Sequence, residues 1–152
     1  MKRAASERLI GSVQIEAFAH ATEDPAKVIQ AISNIIPNPE IELQTENLRG
    51  HYDNPILLLR LKLENHQRVE QILATLRDKL GPETKELLSS ELAQHTDERG
   101  WLYLRLDKQE LYRGRLAFSS GDDAVKLRLS LAPHILRKHN IDEVYRLCGL
   151  MA

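Results

Sequence analysis

Leu57-Leu58-Leu59-Arg60-Leu61-Lys62-Leu63 places leucine at every odd position and turns Arg60 and Lys62 the other way. A period of two is the strand period, and this strand has one aliphatic face and one charged face. Such a strand buries one side only. It belongs in a mainly antiparallel sheet with helices packed on a single face and solvent on the other. Upstream, 41–48 reads as a weaker strand, with Glu42, Gln44 and Glu46 facing away from Ile41 and Leu43. Between the two strands lie Gly50, Asp53, Asn54 and Pro55, residues suited to a turn, so the pair reads as a hairpin with a long loop.

The same alternation recurs along the chain. Val13, Ile15, Ala17 and Ala19 alternate with Gln14, Glu16, Phe18 and His20, which predicts a half-buried strand. Asp24-Pro25 supplies a cap and a first-turn proline for a helix. Val28, Ile29, Ile32, Ile35 and Ile36 make its stripe, and Pro37 stops it. Val69, Ile72, Leu73, Leu76 and Leu80 predict a second helix, and Gly81-Pro82 starts a third with Leu87, Leu88 and Leu92 inward. Trp101 to Leu106 returns to alternation, and Asp107 caps a short turn that leaves at Gly114. Arg115 to Phe118 and Val125 to Leu131 read as a second hairpin, and a final helix covers much of 135–148. The order is strand, helix, two strands, two helices, three strands, helix. The expected fold is a two-layer α+β sandwich, one domain over residues 1–152 with a helical tail at 133–152.

Hydrophobic residues make up 42% and charged residues 28% of the 152, an ordinary globular composition. No apolar run approaches the roughly 20 residues of a membrane span. Met1 to Arg8 lacks the apolar stretch of a signal peptide, so export is not expected. The single cysteine, Cys148, excludes an intramolecular disulfide, fits a reducing cytoplasm and reads as a small buried residue of the last helix. The net charge of -1 hides a contrast: 1–98 carries 11 Lys/Arg against 16 Asp/Glu, and 99–152 carries 10 against 6. Local charge therefore matters more than the total.

The polar strand faces are basic. Arg60 and Lys62 oppose leucines, Arg115 opposes Leu116, and Lys126 and Arg128 oppose Val125, Leu127 and Leu129. In Trp101-Leu102-Tyr103-Leu104-Arg105-Leu106 the leucines take one face and Trp101, Tyr103 and Arg105 the other. Cations neutralise phosphates and rings stack on unpaired bases, so this pattern suits nucleic acid. An ordinary solvated face, with Glu16, Glu42 or Glu46 pairing to Arg60, Lys62 or Arg128, would read the same way. The loop adds Arg49, His51 and Tyr52, which no turn requires.

Catalytic patterns are weaker. His20, Glu23, Asp24 and His51 would form an acid–base or metal cluster only if the first strand ended beside the long loop, and their spacing matches no compact zinc motif. His66, His95, His134 and His139 are scattered on polar segments and read as surface residues. No phosphate-binding glycine loop, nucleophile elbow or paired-cysteine site occurs. No enzyme, metal or cofactor is expected.

Three ordered motifs carry a resemblance: Phe18-Ala19-His20-Ala21-Thr22-Glu23-Asp24, Gly50-His51-Tyr52-Asp53-Asn54-Pro55-Ile56 and Tyr103-Leu104-Arg105-Leu106-Asp107-Lys108-Gln109. Over about residues 10–132 the chain resembles small archaeal proteins described as predicted exosome subunits or RNA-binding proteins. The resemblance implies a fold like the large-subunit ribosomal protein that binds 5S rRNA. It also implies a cytoplasmic, archaeal, RNA-associated protein, with a homodimer and exosome or ribosomal components as further partners. The family commonly has a second glycine where Asp53 stands here, and aspartate tolerates the left-handed backbone that a glycine supplies. The expectation is a non-enzymatic RNA-binding protein, accessory to the archaeal exosome or to rRNA processing. Its contacts would be Arg49, His51, Tyr52, Arg60, Tyr103, Arg105, Lys108, Arg113 and Arg115. The alternative is a protein-interaction or dimerisation module using the same aromatic and basic face. A metal-dependent hydrolase built on His20 and His51 is a distant third.

Overall fold

A computed structural model describes residues 8–152. Residues 1–7, which make up most of the segment read as lacking a signal peptide, lie outside the described part. The central strand is β1 (Ile10–Ala19). It pairs antiparallel with β3 (Pro55–Leu63) on one side and β5 (Ala124–Leu131) on the other. Strands β2 (Gln44–Arg49) and β4 (Leu102–Asp107) form the edges, giving the order β2-β3-β1-β5-β4. Every pairing in the sheet is antiparallel.

One face of this sheet is dry. Val13, Ile15, Leu59, Leu61, Leu63, Leu102, Leu104, Leu127 and Leu129 are buried beneath the helices. Helix α1 (Pro25–Ile32) begins as the sequence predicts, with the Asp24 carboxylate accepting from the N–H of Ala26. It ends at Ile32, earlier than Pro37, because the carbonyl of Ile32 accepts from both Ile35 and Ile36 in a tightened turn. Ile35 and Ile36 still reach the core. Helix α2 (His66–Lys79) is capped by Asn65, whose side-chain oxygen accepts from Gln67 and Arg68, and it buries Val69, Ile72, Leu73 and Leu76. Fully burying one such side chain contributes about 1.5–3 kcal/mol, so the leucine stripes hold the two layers together.

Several expectations are corrected. The strand before the loop starts at Gln44; Ile41 lies in a 3-10 turn (Pro39–Ile41) and is exposed. The cause is Arg68 of α2, which grips this segment from below. Its Nε and Nη2 each donate to the Glu42 carboxylate at 2.7 Å, and its Nη1 and Nη2 reach the carbonyls of Pro37 and Asn38. Glu42 therefore pairs with Arg68 and not across strands. The third helix divides into α3 (Pro82–Ser90) and α4 (Leu92–His95), and Leu87 points outward while Leu88 and Leu92 are buried.

The expected hairpin of 115–118 with 125–131 does not form. Both sides of β5 are already taken, by β1 and β4. After β4, helix α5 (Lys108–Tyr112) is capped by Asp107, and the chain returns along the outer edge of β4. Asp107 donates to the Ala117 carbonyl, and Ser119 donates to the Arg105 carbonyl. Only the bridge between Leu106 and Phe118 is strand-like, so the sheet has five strands where six were expected. The last helix is also shorter than expected: a 3-10 turn (Ile135–Arg137) precedes α6 (Ile141–Leu147), which Asn140 caps. Its buried face adds Val144 and Tyr145 to the core, and Cys148 is buried beside them, as expected. The Tyr145 hydroxyl donates to the Gly100 carbonyl at 2.5 Å, and burial pushes its pKa up.

Candidate nucleic-acid interface

The open sheet face is assembled by register. Position by position across the strands, one row reads Gln44, Arg60, Glu16, Lys126, Arg105. The next reads Lys62, Gln14, Arg128, Tyr103. These two rows hold five cations against one carboxylate. Lys126 and Arg105 stand directly opposite each other, an arrangement that is destabilising between like charges. Arg60 bonds Glu16 at 2.9 Å, the cross-strand pair that the sequence allowed, and Arg105 reaches Asp122 at 3.3 Å. Both arginine side chains are substantially exposed, so these pairs contribute little and a phosphate can displace them. Arg128 donates to Gln14, while its buried Nε has no hydrogen-bond partner among the described residues.

At one corner Asp97 organises the entry to β4. Its Oδ1 accepts from the backbone N–H groups of Arg99 (2.9 Å) and Trp101 (3.1 Å). Its Oδ2 accepts from Arg99 Nη2 (2.9 Å), Arg99 Nε (3.3 Å) and the Tyr103 hydroxyl (2.8 Å). Burial works to raise the Asp97 pKa, but the bonds from Tyr103, Arg99 and the two amides outweigh it and hold the carboxyl at about 2. The Asp97 hydrogen bond, with burial, raises the Tyr103 pKa in turn. Because the folded pKa of Asp97 lies below its unfolded value, its stabilisation is complete above about pH 4 and is lost as pH falls towards 2. Asp97→Asn is expected to flatten the loss of stability between those limits, read from denaturant unfolding of both proteins at each pH.

The other candidates fall elsewhere. Loop 50–54 adjoins the Ala19 end of β1 on the β2–β3 edge, diagonally across the sheet from Trp101. Tyr52 there is 95% exposed, with φ 62°, and Asp53 follows at φ 63°, so aspartate does adopt the left-handed backbone. Arg49 pairs with Asp53 at 3.1 Å. The backbone of His51 lies in the 3-10 turn (His51–Asp53), but its side chain is outside the described part. Arg113 and Arg115 follow α5, which packs on α1, and both engage the Glu110 carboxylate. Neither belongs to the two rows.

Lys108 has an internal position. It is 9% exposed, and its ammonium donates to the Phe18 carbonyl (2.6 Å) and to both Glu23 oxygens (3.0 and 3.2 Å). Asp123 lies 2.6 Å from the same nitrogen and 3.2 Å from His20 Nε2. Burial alone would raise the Asp123 pKa, but Lys108 and His20 hold it low. His20, Glu23 and Asp123 lie close enough to share a metal ion, yet the Lys108 ammonium already serves as the cation for both carboxylates. Asp24 is occupied as the α1 cap.

Arg60, Tyr103 and Arg105 are thus the expected residues that the fold brings onto one face. Lys62, Lys126 and Arg128, read in the sequence only as polar-face residues, join them. Asp97 and Arg99 were missed, because they lie in the turn just ahead of β4 and outside its alternation.

Fold and face together define a small α+β protein with a one-sided antiparallel sheet and a basic open surface. A family model described as RNA binding matches residues 12–131, and the chain belongs to that family. It is 29% identical over 139 residues to an RNA-binding protein of Pyrococcus abyssi, a match covering 89% of this chain and 90% of that protein. A crystal structure of a DUF54 protein from Archaeglobus fulgidus is 31% identical with a TM-score of 0.77, over 91% of this chain and 99% of the other. A second DUF54 protein, from Methanothermobacter thermautotrophicus, is 27% identical with a TM-score of 0.76, over 92% and 98%. Among the described residues no helix is long and apolar enough to cross a membrane.

Proposed function

We propose that this protein binds RNA through the open face of its sheet, with Arg60, Arg105, Lys62, Lys126 and Arg128 meeting phosphates. The observation that carries this reading is the opposition of Lys126 and Arg105 across β4 and β5, a repulsion that a bound phosphate relieves. Arg49, His51 and Tyr52 form a separate contact at the far corner, and Arg113 and Arg115 extend the cationic surface past α5. Lys108 acts indirectly, by holding Glu23 and Asp123 together. The face offers charge and hydrogen bonds but no activated nucleophile, which supports binding over catalysis. The sequence resemblance supports a ribosomal-protein-like architecture and a cytoplasmic role accessory to the exosome or to rRNA processing.

Titration of single-stranded and structured RNA pools at several salt concentrations tests the reading. Affinity is expected to fall log-linearly with salt, each phosphate contact adding somewhat under one to the slope. Absence of binding to both pools at low salt would remove it. A second reading is association with another copy or another protein, supported by the exposed Tyr52 and the edge position of β2. Sedimentation gives its signature: a particle twice the monomer mass that resists salt.

A further inference from the structure

The geometry points to a stacking seat for one unpaired RNA base at the Trp101 corner, with the outer plane of the Arg99 guanidinium as its floor. This inference rests on the RNA-binding reading and specifies the form of RNA that the face takes.

The Arg99 Cζ lies 3.4 Å from the centroid of the Trp101 ring, which is stacking distance. The indole covers one side of the guanidinium, and the Arg99 side chain remains 51% exposed, so its other side faces solvent. Guanidinium planes stack on bases as aromatic rings do. A free surface arginine would lose much rotamer freedom in forming such a stack, but here Asp97 has already fixed it.

A simple turn accounts for only part of this arrangement. Asp97 Oδ1, accepting from the amides of Arg99 and Trp101, is sufficient to shape the bend. The three donors on Oδ2 do something else: they orient the guanidinium and lock the Tyr103 ring beside it. That is more order than the bend requires, and all of it is applied to a flat cation on an aromatic ring.

The surroundings match a nucleotide in charge and shape. A groove of about 380 Å³ runs from Arg99 and Trp101 past Pro133 and His134 to Arg137. The Arg128 guanidinium lies 5.3 Å from the Trp101 centroid, with its Nε unpartnered. Arg128 beside Trp101 and Arg137 in the groove thus put two further cations around this corner for the flanking phosphates. Paired bases inside a duplex cannot expose a face to the seat, so it selects unpaired RNA.

Trp101 is the only tryptophan in the chain, which makes its fluorescence a direct reporter. The protein is titrated with a short oligoadenylate and with a blunt RNA duplex. The oligoadenylate is expected to change Trp101 emission on binding, and the duplex to bind without that change. Arg99→Lys keeps the charge and removes the plane. It is expected to weaken oligoadenylate binding about tenfold, to leave its salt slope unchanged, and to leave duplex binding untouched. Oligoadenylate binding without any emission change, or binding to Arg99→Lys as tight as to the unaltered protein, overturns the seat while RNA binding stands. Failure of the unaltered protein to bind either RNA overturns both. Should Arg99→Lys prove unfolded, the emission comparison in the unaltered protein decides alone.

Discussion

Arg105→Glu is expected to weaken RNA binding about thirtyfold at low salt and to reduce the salt slope by one to two. The same substitution is expected to leave the protein folded and no less stable. Both outcomes follow from one pairing. Lys126 sits opposite Arg105, so a carboxylate there turns a cross-strand repulsion into an attraction. Asp122, the present partner of Arg105, is almost wholly exposed on its loop and loses little when it swings away. Filter binding at several salt concentrations, with a thermal melt of the same preparation, separates the two effects. A variant that binds as well as the original would exclude Arg105 from the interface. A variant that unfolds would show that the row is there for stability.

Arg68→Ala is expected to cost about 3 kcal/mol and to lower the melting temperature by about 10 °C. The Arg68 and Glu42 side chains are only 12% and 15% exposed, and their two bonds are 2.7 Å long. The Glu42 hydrogen bond raises the already high pKa of Arg68, so the guanidinium keeps its charge. Removing the guanidinium strands the carboxylate and frees the carbonyls of Pro37 and Asn38 together. Arg68→Ala combined with Glu42→Ala should cost clearly less than the two single substitutions summed, because the stranded charge is then gone. Additive costs would mean that the pair is not coupled. RNA affinity should survive once folding is restored at lower temperature, since Arg68 contacts the 37–42 segment and none of the basic rows.

The alternation in 57–63 is enough to assign a one-sided antiparallel sheet, because side-chain period and burial are local properties. What stands beside what is not local. Arg60 and Arg105 fall in one row only because β1 lies between β3 and β5, an order set by pairings across the whole chain. The segment 115–118 has strand composition but no free edge of β5 to join. Lys108 follows the capping aspartate in the way a surface lysine would, and nothing in its neighbours shows that Phe18, Glu23 and Asp123 will close over it. Arg99 was missed for a different reason. Its stack on Trp101 depends on the turn at Gly100, where φ is 78°, and a charged residue just ahead of a strand reads as loop.

The bond from Tyr145 to the Gly100 carbonyl bears on where this protein can be cut. The family match ends at residue 131, yet Val144, Tyr145, Cys148, Leu150 and Met151 all sit in the core. A fragment trimmed to the matched segment would lose the hydroxyl that anchors the Trp101 turn, and the core would lose Val144, Tyr145, Cys148, Leu150 and Met151. The stretch that the family model delimits is shorter than the stretch that folds, and expression boundaries should follow the second.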